Sequence, residues 1–473
     1  MSPSADPVVI VGGGIAGLAA AYELHLRHVP FVLLERATRL GGVIRTERVG
    51  GFTIDGGPDS LLVQKPAAID LCRALGLGDR LFPTTPPRTA FIVRGGVLHP
   101  LPEASVLGIP TRLLPLATTR LFSTRGKLRM AMELALPPRP PSAEREDESI
   151  GSFMRRRFGD EAVTYLAEPL FAGIHSGDVE RLSMAALFPR LLQAEQRYGS
   201  LIRAFRAMRP RGDQQGAFRS LPGGLEEMVT RLVAALPAPA LRTGAAVDRL
   251  DGHGPFEVRL TSGDRLSADL VVLAAPAHRV AAIVEPIDAE LARLCAGIPY
   301  VSSATVALAY AREAIRHPLE GSGFVVPAAE PGWRIMAASW VSSKWPQRAP
   351  AGSVLLRAFL GGARKPEILS EDDETLRRVA HDDLSKVLGI RGEPTLALIH
   401  RWPLANAQHE VGHRQRLRAV EARLAHLPGL HVTGSGFRGV GIPDCVADGR
   451  AVATTVAAAW EAAARRKTPE RPT

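Results

Sequence analysis

Three glycines near the start of the chain, Gly12, Gly14 and Gly17, have the spacing of a turn that holds phosphate groups. They lie between the apolar run Val8–Val11 and the Ala- and Leu-rich run Ile15–Leu26, which predicts a strand, a tight turn and a helix. The first glycine permits the turn, the second lets a pyrophosphate approach the backbone, and the third lets the helix pack on the sheet. The phosphates then lie at the positive end of the helix. We therefore predict a dinucleotide site formed by Gly12, Gly13, Gly14, Ile15, Ala16 and Gly17.

Glu35 supplies the acidic residue that such a site needs at the end of its second strand. It follows the apolar residues 31–34 and lies 21 residues after Gly14 (35 − 14 = 21). A carboxylate at this place can accept hydrogen bonds from a ribose diol. The alternative is a glycine-rich turn that binds nothing. The fingerprint alone does not separate FAD from NAD.

Two further glycine-rich segments favour FAD. The first, residues 35–46, contains the pair Gly41-Gly42 and is followed by a second pair in residues 56–58. The other, residues 432–444, precedes the last predicted helix, whose N-terminus could face the pyrimidine end of a flavin. Glycine pairs let the backbone approach a flat, extended ligand closely. The alternative interpretation is that both segments are ordinary loops.

Composition and charge exclude several classes of protein. Lys and Arg exceed Asp and Glu by ten (58 − 48 = +10), which favours an anionic ligand or surface, or reflects only the arginine preference of a GC-rich genome. The basic residues are dispersed and aromatic residues are 5%, so we expect no nucleic acid partner. The three cysteines are far apart, which indicates neither a disulfide framework nor a metal site. Without a signal peptide or a membrane-spanning run, we expect a cytoplasmic protein.

The elements that must position this site come from separate parts of the chain. A βαβ unit begins the sequence, and strand-like alternation returns within residues 241–275 and 301–359. Residues 113–136, 150–170 and 181–208 read as mostly helical. The run ending at Asp444 leads into a terminal helix. We predict an α/β protein with a Rossmann-type FAD-binding domain, a mixed-sheet substrate domain and a helical domain.

Over nearly its full length the chain resembles the oxygen-dependent porphyrinogen oxidases of haem synthesis, within a wider group that includes amine oxidases and carotene desaturases. The residues that carry the resemblance are Gly12 to Leu18, Leu40-Gly41-Gly42, Gly57-Pro58-Asp59-Ser60, Phe171-Ala-Gly173-Ile174-His-Ser-Gly177-Asp178, Leu221-Pro-Gly223-Gly224-Leu225 and Gly439-Val440-Gly441-Ile442-Pro443-Asp444-Cys445. Within the family it is most similar to the soluble Gram-positive type, which oxidises coproporphyrinogen III to coproporphyrin III. This implies an amine oxidase-like fold and non-covalent FAD.

The resemblance also implies which residues contact the cofactor. Besides residues 12–17, the resemblance assigns a further set of residues to contacts with the ribose, the isoalloxazine and the adenine. These are Glu35, Arg36, Gly41, Gly42, Val43, Gly57, Pro58, Asp59, Ser60, Val247, Trp402, Val440, Gly441 and Ile442. The corresponding division of the chain is 1–88, 216–280 and 401–465 for the FAD-binding domain, 89–215 for a substrate and helical region with a candidate membrane contact, 281–400 for the substrate-binding domain and 466–473 for a tail.

The sequence departs from the family at two places. Many protoporphyrinogen oxidases carry an arginine, which holds a propionate, at the position that is Ala90 here; Arg88 is close but out of register. This favours coproporphyrinogen as the substrate. The other departure is His409, where relatives often have tyrosine, which either alters the pocket wall or is neutral.

Substrate recognition should combine apolar walls with cations, because a porphyrinogen has a flat macrocycle and carboxylate side chains. Lys65 is the candidate propionate partner, and Ile174, Phe324 and Val325 are candidate wall residues. No residue is assigned as a catalytic acid or base, since the flavin accepts hydride and passes electrons to O₂. We interpret the run 155–157, three arginines, as an exposed helix face and Cys445 as an unreactive thiol.

Several functions stay open at this stage. Protoporphyrinogen IX is the alternative substrate. An amine oxidase or desaturase on the same scaffold, or a non-catalytic FAD-binding protein, is the alternative class. A chelatase that receives the product and the inner face of the cell membrane are the candidate partners.

Overall fold

The structure is a computed structural model that describes residues 6–102, 105–106, 109–110, 113–139, 147–207 and 216–467, with the side chains of residues 105, 106, 110, 113, 172, 174, 466 and 467 left out. The strands are β1 (Val8–Val11), β2 (Phe31–Glu35), β3 (Thr46–Val49), β4 (Phe52–Asp55), β5 (Leu61–Leu62), β6 (Phe82–Pro83), β7 (Ala90–Arg94), β8 (Val97–Pro100), β9 (Ser105–Val106), β10 (Ile109–Pro110), β11 (Phe218–Ser220), β12 (Leu241–Thr243), β13 (Val247–Asp251), β14 (Phe256–Leu260), β15 (Arg265–Ala268), β16 (Val271–Leu273), β17 (Tyr300–Ala311), β18 (Gly323–Val325), β19 (Ala337–Trp340), β20 (Ser353–Gly361), β21 (Leu396–Ala407) and β22 (Leu430–Val432).

The α-helices are α1 (Ile15–Leu26), α2 (Ala67–Ala74), α3 (Leu113–Thr118), α4 (Thr124–Ala131), α5 (Ile150–Phe158), α6 (Asp160–Ala162), α7 (Gly173–His175), α8 (Met184–Leu187), α9 (Pro189–Tyr198), α10 (Leu201–Ala207), α11 (Glu226–Ala234), α12 (Ala277–Val284), α13 (Ala289–Ala296), α14 (Val341–Lys344), α15 (Asp373–Leu388), α16 (His413–Leu424) and α17 (Ile442–Lys467). A π-helical stretch, Val163–Ala172, joins α6 to α7. Short 3₁₀ turns occur at Gly78–Arg80, Met132–Leu134, Ala238–Ala240, Arg312–Ala314, Pro346–Arg348 and Pro366–Ser370.

A five-stranded parallel sheet in the order β12-β2-β1-β16-β22 forms the centre of the nucleotide-binding part. Its strands are short apolar runs because both of their faces are covered. Ile10 and Leu33 face a core shared with α1, α2, α11 and α17, whereas Val9 and Leu34 face a core shared with β14, α12 and α13. Segments from the start, the middle and the end of the chain thus meet in one sheet.

A seven-stranded sheet in the order β21-β17-β20-β19-β18-β7-β8 forms the second layer. Its β18 and β7 are parallel, and the other neighbours are antiparallel. Alternate residues of β20, such as Leu356 and Ala358, pack on α15 through Leu376 and Leu384. The opposite face, which carries Leu355, packs on β4 through Ile54. This opposite face therefore looks toward the nucleotide-binding part.

The helical part, from α3 to α10, has its own core and a buried ion pair within it. Phe153, Leu166 and Ile202 are among the buried residues of that core. The prediction that all three arginines of residues 155–157 form an exposed helix face is wrong for Arg157. Its side chain is 1% exposed and pairs with Glu133, which lies 24 residues earlier in the chain.

Two of the predicted domain boundaries fall inside packed units. Strand β21 runs through the boundary placed between residues 400 and 401. Helix α13 packs with α12 in one core, across the boundary placed between residues 280 and 281. We propose that the nucleotide-binding part extends to Ile298 and resumes after Ala407.

Candidate cofactor and substrate site

The three fingerprint glycines have different surroundings, and the difference shows where a ligand fits. Gly12 has φ +112°, and a Cβ there would lie 2.7 Å from Ala274 O. A Cβ on Gly17 would overlap Gly12 O. At Gly14, by contrast, no heavy atom lies within 4 Å of the Cβ position. Protein packing requires the first and third glycines, whereas the second borders the open space that a pyrophosphate would fill.

The start of α1 is open to an anion. Gly14 is its N-cap residue and provides no side-chain hydrogen bond to the helix, and no acidic residue occurs in the first turn. The first amide groups of a helix have no partner within the helix, and together they carry partial positive charge. Ile15 and Ala16 lie in this first turn, and their contact with the phosphates stays a prediction. The residues present fit a dinucleotide.

Glu35 ends β2 and is fixed by two backbone amides. Its Oε2 accepts from Gly13 N at 2.7 Å and its Oε1 from Ala37 N at 2.8 Å. A carboxylate oxygen has a second lone pair, so this geometry still allows ribose hydroxyls to donate to it. The backbone of Glu35 also accepts from Ala245 N at 2.9 Å, which brings the segment leading to Val247 beside the ribose end. Arg36 is exposed next to it.

The pairs Gly41-Gly42 and Gly56-Gly57 lie next to the glycine-rich turn of residues 12–17 and extend the candidate cofactor groove. Gly42 has φ +58°, and a Cβ there would lie 3.3 Å from Gly14 Cα, so the two glycine segments are in contact. Val43 is 41% exposed. A Cβ on Gly57 would overlap Val43 O, so these two backbones also touch. Residues predicted to lie along the isoalloxazine are therefore brought together from separate parts of the sequence.

The side chain of Asp59 points away from the candidate cofactor groove and fixes the segment 57–60 through ion pairs. Its Oδ2 lies 3.1 Å from Lys344 Nζ and 3.1 Å from Arg357 Nη2, and Ser60 Oγ donates to its Oδ1 at 2.9 Å. Burial opposes the negative charge, but Lys344 and Arg357 outweigh it and hold the pKa of Asp59 well below its usual range. Any contact of Asp59 with the cofactor would therefore be made by its backbone, as for its neighbour Pro58.

Arg357 ties this segment to the large sheet. Its Nη1 donates to Asp55 O at 2.6 Å and to Gly57 O at 2.8 Å. Asp55 itself pairs with Arg348 at 2.9 Å, and both side chains are almost fully buried. Burial raises the pKa of Asp55. Sequence reasoning missed these cations, because no spacing signal links residues that are about 300 positions apart.

The C-terminal glycine-rich segment, residues 434–441, joins β22 to α17. Gly441 N donates to Asp444 Oδ2 at 3.3 Å, so Val440, Gly441 and Ile442 are held at the start of this helix. Cys445 is 6% exposed, and burial raises the pKa of its thiol to about 12. A thiol in this state is unreactive, which fits a non-covalent flavin.

The candidate substrate residues lie in different environments. Lys65 is half exposed and pairs with Asp444. Phe324 is 2% exposed and packs against Trp333 on the α15 side of the sheet, so we revise its assignment as a wall residue. Val325, the next residue in β18, points to the other side because side chains alternate along a strand. The side chain of Ile174 lies outside the described residues.

A row of side chains crosses the face of the large sheet from the flavin segments to the helical core. Strand register places Val325 beside Ala337, Ala337 beside Phe359 and Phe359 beside Thr305. At one end Thr305 Oγ1 donates to Gly56 O at 2.8 Å. At the other end Val325 packs against the helical core. We call these four residues the sheet row.

Three residues of the sheet row are only half-buried although they lie inside the sheet. These are Val325, Ala337 and Phe359. Trp402, in the adjacent register row, donates through Nε1 to Gly56 O at 2.9 Å. Ala90 lies on the same face opposite Gly323. The half-buried side chains of this face are thus apolar and lie next to segments predicted to line the isoalloxazine, and Phe359 is the aromatic residue that sequence reasoning missed there.

Comparison with known proteins identifies the family. Residues 15–457 match the family described as flavin containing amine oxidoreductase. The chain belongs to this family. The predictions of an amine oxidase-like α/β fold, of an oxidoreductase and of FAD as cofactor are confirmed.

Individual relatives of this flavin oxidoreductase narrow the group. It is 37% identical over 466 residues to the coproporphyrinogen III oxidase of Bacillus subtilis (strain 168), covering 95% of this chain and 98% of that one. It is 29% identical to the chloroplastic protoporphyrinogen oxidase of Nicotiana tabacum, covering 95% and 85%. The crystal structure of a putative protoporphyrinogen oxidase from Exiguobacterium sp. 255-15 superposes with a TM-score of 0.86 at 34% identity, covering 97% of this chain and 100% of that one. The resemblance to porphyrinogen oxidases is thereby confirmed.

Proposed function

We propose that this flavin oxidoreductase oxidises coproporphyrinogen III to coproporphyrin III in haem biosynthesis. The observation that carries the proposal is its full-length similarity to the coproporphyrinogen III oxidase of Bacillus subtilis. The geometry supports it, because the three half-buried residues of the sheet row are apolar and lie close to the segments assigned to the isoalloxazine. Flat macrocycles are held by such walls, with a few polar groups that fix orientation.

The chemistry belongs to the cofactor, and the protein positions the reactants. Bound FAD would take electron pairs from the macrocycle as hydride and return them to O₂ as H₂O₂. Val325 and Phe359 hold the macrocycle face and keep water away from it. Arg357 fixes both the flavin segment, through Gly57 O, and the sheet row, because its guanidinium lies 4.8 Å from the ring centroid of Phe359.

Lys65 is our proposed partner for a substrate propionate. It follows the isoalloxazine segment 57–60 in the chain, and its ammonium group is half exposed. Asp444 pairs with it at 2.7 Å, so an incoming carboxylate would share or replace that carboxylate. Val325 and Ile174 remain the proposed wall residues from the sequence, and Phe359 joins them from the structure.

Protoporphyrinogen IX is the alternative substrate, since the solved Exiguobacterium relative is described as a putative protoporphyrinogen oxidase. Ala90 argues against it, because an alanine on the substrate-facing side of β7 provides no cation there. Arg88 is engaged with Thr84, donating to its carbonyl oxygen at 3.0 Å.

Aerobic turnover of both substrates by the purified protein tests the proposal. We expect a higher kcat/KM for coproporphyrinogen III. About three H₂O₂ should form per porphyrin, because the oxidation removes six electrons and each flavin cycle removes one electron pair. A preference for protoporphyrinogen IX would favour the alternative. If neither is oxidised by FAD-loaded protein, the porphyrinogen oxidase proposal fails.

We also propose a peripheral contact with the inner face of the cell membrane. Within the described ranges no helix is long and apolar enough to cross a membrane. Leu114, Leu128 and Met132 are exposed on the helical part, and the same stretch of sequence carries the exposed cations Arg120 and Arg125. Apolar side chains beside cations suit an anionic lipid surface. Sedimentation of the protein with anionic vesicles tests this contact, and Leu128→Asp should reduce the bound fraction.

Transfer of the product to a chelatase is a separate proposal, which an assay of product formation with both proteins present would test.

A further inference from the structure

The segment between β21 and α16 contains two buried histidines whose rings stack on each other. The ring centroids of His409 and His413 are 3.8 Å apart and the planes are 9° from parallel. Each side chain belongs to a residue that is only 2% exposed. Two imidazoles so placed are costly to bury unless their polar atoms have partners.

Each ring donates a hydrogen bond to the C-terminal glycine-rich segment, residues 434–441. His409 Nε2 lies 2.9 Å from Ser435 O, and His413 Nε2 lies 2.8 Å from Phe437 O. A carbonyl oxygen can only accept, so both Nε2 atoms carry a hydrogen. The stacked pair therefore holds two peptide groups of one turn, and this turn leads directly to Gly441 and α17.

Burial disfavours a positive charge on either ring. Burial lowers the pKa of both rings, that of His409 to about 3, and it outweighs the hydrogen bonds to Ser435 O and Phe437 O, which favour the charged form. His413 and, to a smaller extent, His175 oppose a positive charge on His409, while Arg416 opposes and Asp147 favours a charge on His413. A neutral ring has one N–H. In both rings that N–H is aimed at residues 434–441.

We propose that His409 and His413 are positioning residues for FAD, which hold residues 434–441 so that Gly441 and the start of α17 face the flavin. This inference rests on the proposed assignment of residues 440–442 to the cofactor site. It extends that assignment to two side chains that do not themselves touch the flavin. The donors act as a pair because the rings support each other by stacking.

Glutamine and methionine variants separate the donor from the ring. Glutamine keeps an N–H donor of similar reach, whereas methionine has similar size and no donor. We expect His409→Met and His413→Met to raise the Kd for FAD about tenfold, since each leaves a carbonyl without its donor. They should also change the visible absorption spectrum of the bound flavin. His409→Gln and His413→Gln should stay within about threefold of the wild type.

A matched control distinguishes positioning from general loss of stability. His381 in α15 pairs with Tyr310 OH at 3.0 Å, in the substrate part of the molecule. His381→Met should lower the unfolding temperature while leaving the Kd for FAD and the flavin spectrum unchanged. Unchanged Kd and spectrum in both methionine variants at positions 409 and 413 would overturn the proposal. Equal losses in the glutamine and methionine variants would overturn it too.

A measurement on the unmodified protein covers the case in which a methionine variant does not fold. With nitrogen-labelled histidine, adding FAD to the apoprotein should shift the Nε2–H resonances of His409 and His413. Resonances that do not respond to FAD would overturn the proposal. None of these readouts needs a porphyrinogen, so a failure of the proposed oxidation would be recognised separately.

Discussion

The ammonium group of Lys65 lies 2.7 Å from Oδ2 of Asp444, and this contact joins two segments predicted to line the flavin site, 379 residues apart in the chain. Lys65 follows the segment that contains Gly56 and Gly57, and Asp444 lies in the first turn of α17. Asp444 also accepts from Gly441 N. The candidate propionate partner is thus held by the same carboxylate that orders the C-terminal flavin segment.

Lys65→Met should weaken substrate binding more than the chemical step. Loss of a charge-assisted hydrogen bond to a propionate should raise KM about tenfold with little change in kcat. Steady-state kinetics on coproporphyrinogen III measures this. Arg293→Met, which removes a more exposed ion pair with Glu290, is the control and should leave KM unchanged. An unchanged KM in Lys65→Met would remove Lys65 from the substrate site.

Alanine at Gly14 and at Gly17 should have opposite profiles. Gly14→Ala adds a Cβ to open space, so the apoprotein should unfold at the wild-type temperature while the Kd for FAD rises at least about tenfold. Gly17→Ala overlaps Gly12 O and should destabilise the fold by about 1–3 kcal/mol or more. Thermal unfolding of the apoproteins and FAD titration test both. Normal FAD affinity in Gly14→Ala would contradict the phosphate assignment.

Phe359 and Phe324 lie on opposite faces of the large sheet, so truncating them should affect different properties. Phe359→Ala should raise KM for the porphyrinogen with a modest loss of stability. Phe324→Ala should cost about 3–5 kcal/mol of unfolding free energy, because it empties a packed core, and should leave KM unchanged. Denaturant unfolding and kinetics on the two variants compare them directly. The reverse pattern would show that the substrate uses the other face.

The buried pair Arg157–Glu133 should be a major stability determinant of the helical part. Glu133→Gln removes the nearer of the two buried carboxylates that face the Arg157 guanidinium, with Glu195 left at 3.5 Å, and should lower the unfolding free energy by about 3 kcal/mol. Arg155 pairs with Glu180 at the surface, so Arg155→Met should cost about 1 kcal/mol or less. Urea unfolding monitored in the helical part measures both variants. Similarly small losses of unfolding free energy in both variants would mean that water solvates the Arg157 guanidinium when Glu133 is replaced.

Stability should fall on acidification through a defined window. Burial lowers the pKa of His409 to about 3 and that of His175 to about 4, both from 6.5. Between pH 6.5 and these values the unfolded chain binds protons that the folded chain does not, so the folded state loses stability as the pH falls. Each ring contributes up to about 1.4 kcal/mol per pH unit. His409→Gln should show a shallower loss, measured by denaturant unfolding of the apoprotein; an equal slope would contradict the lowered pKa.

Much of the phosphate site could be predicted from the sequence because its geometry is local. The turn from Gly12 to Gly17 joins a strand to the helix that follows it, and Glu35 ends the next strand. Neighbouring residues in the chain are necessarily neighbours in space, so spacing alone indicates the chemistry. The resemblance to a known family extended this to the second and third glycine segments.

The sequence by itself determined the fold class and the dinucleotide fingerprint, and its resemblance to a known family indicated FAD and the class of reaction. Only the tertiary structure decided which remote side chains contact the site segments and the buried charges. The charge of Asp59 depends on Lys344 and Arg357, which are remote in the chain, and the burial of Arg157 depends on Glu133. The face on which Phe324 or Phe359 lies depends on strand register. Such contacts follow from long-range packing, which residue types and spacing do not specify.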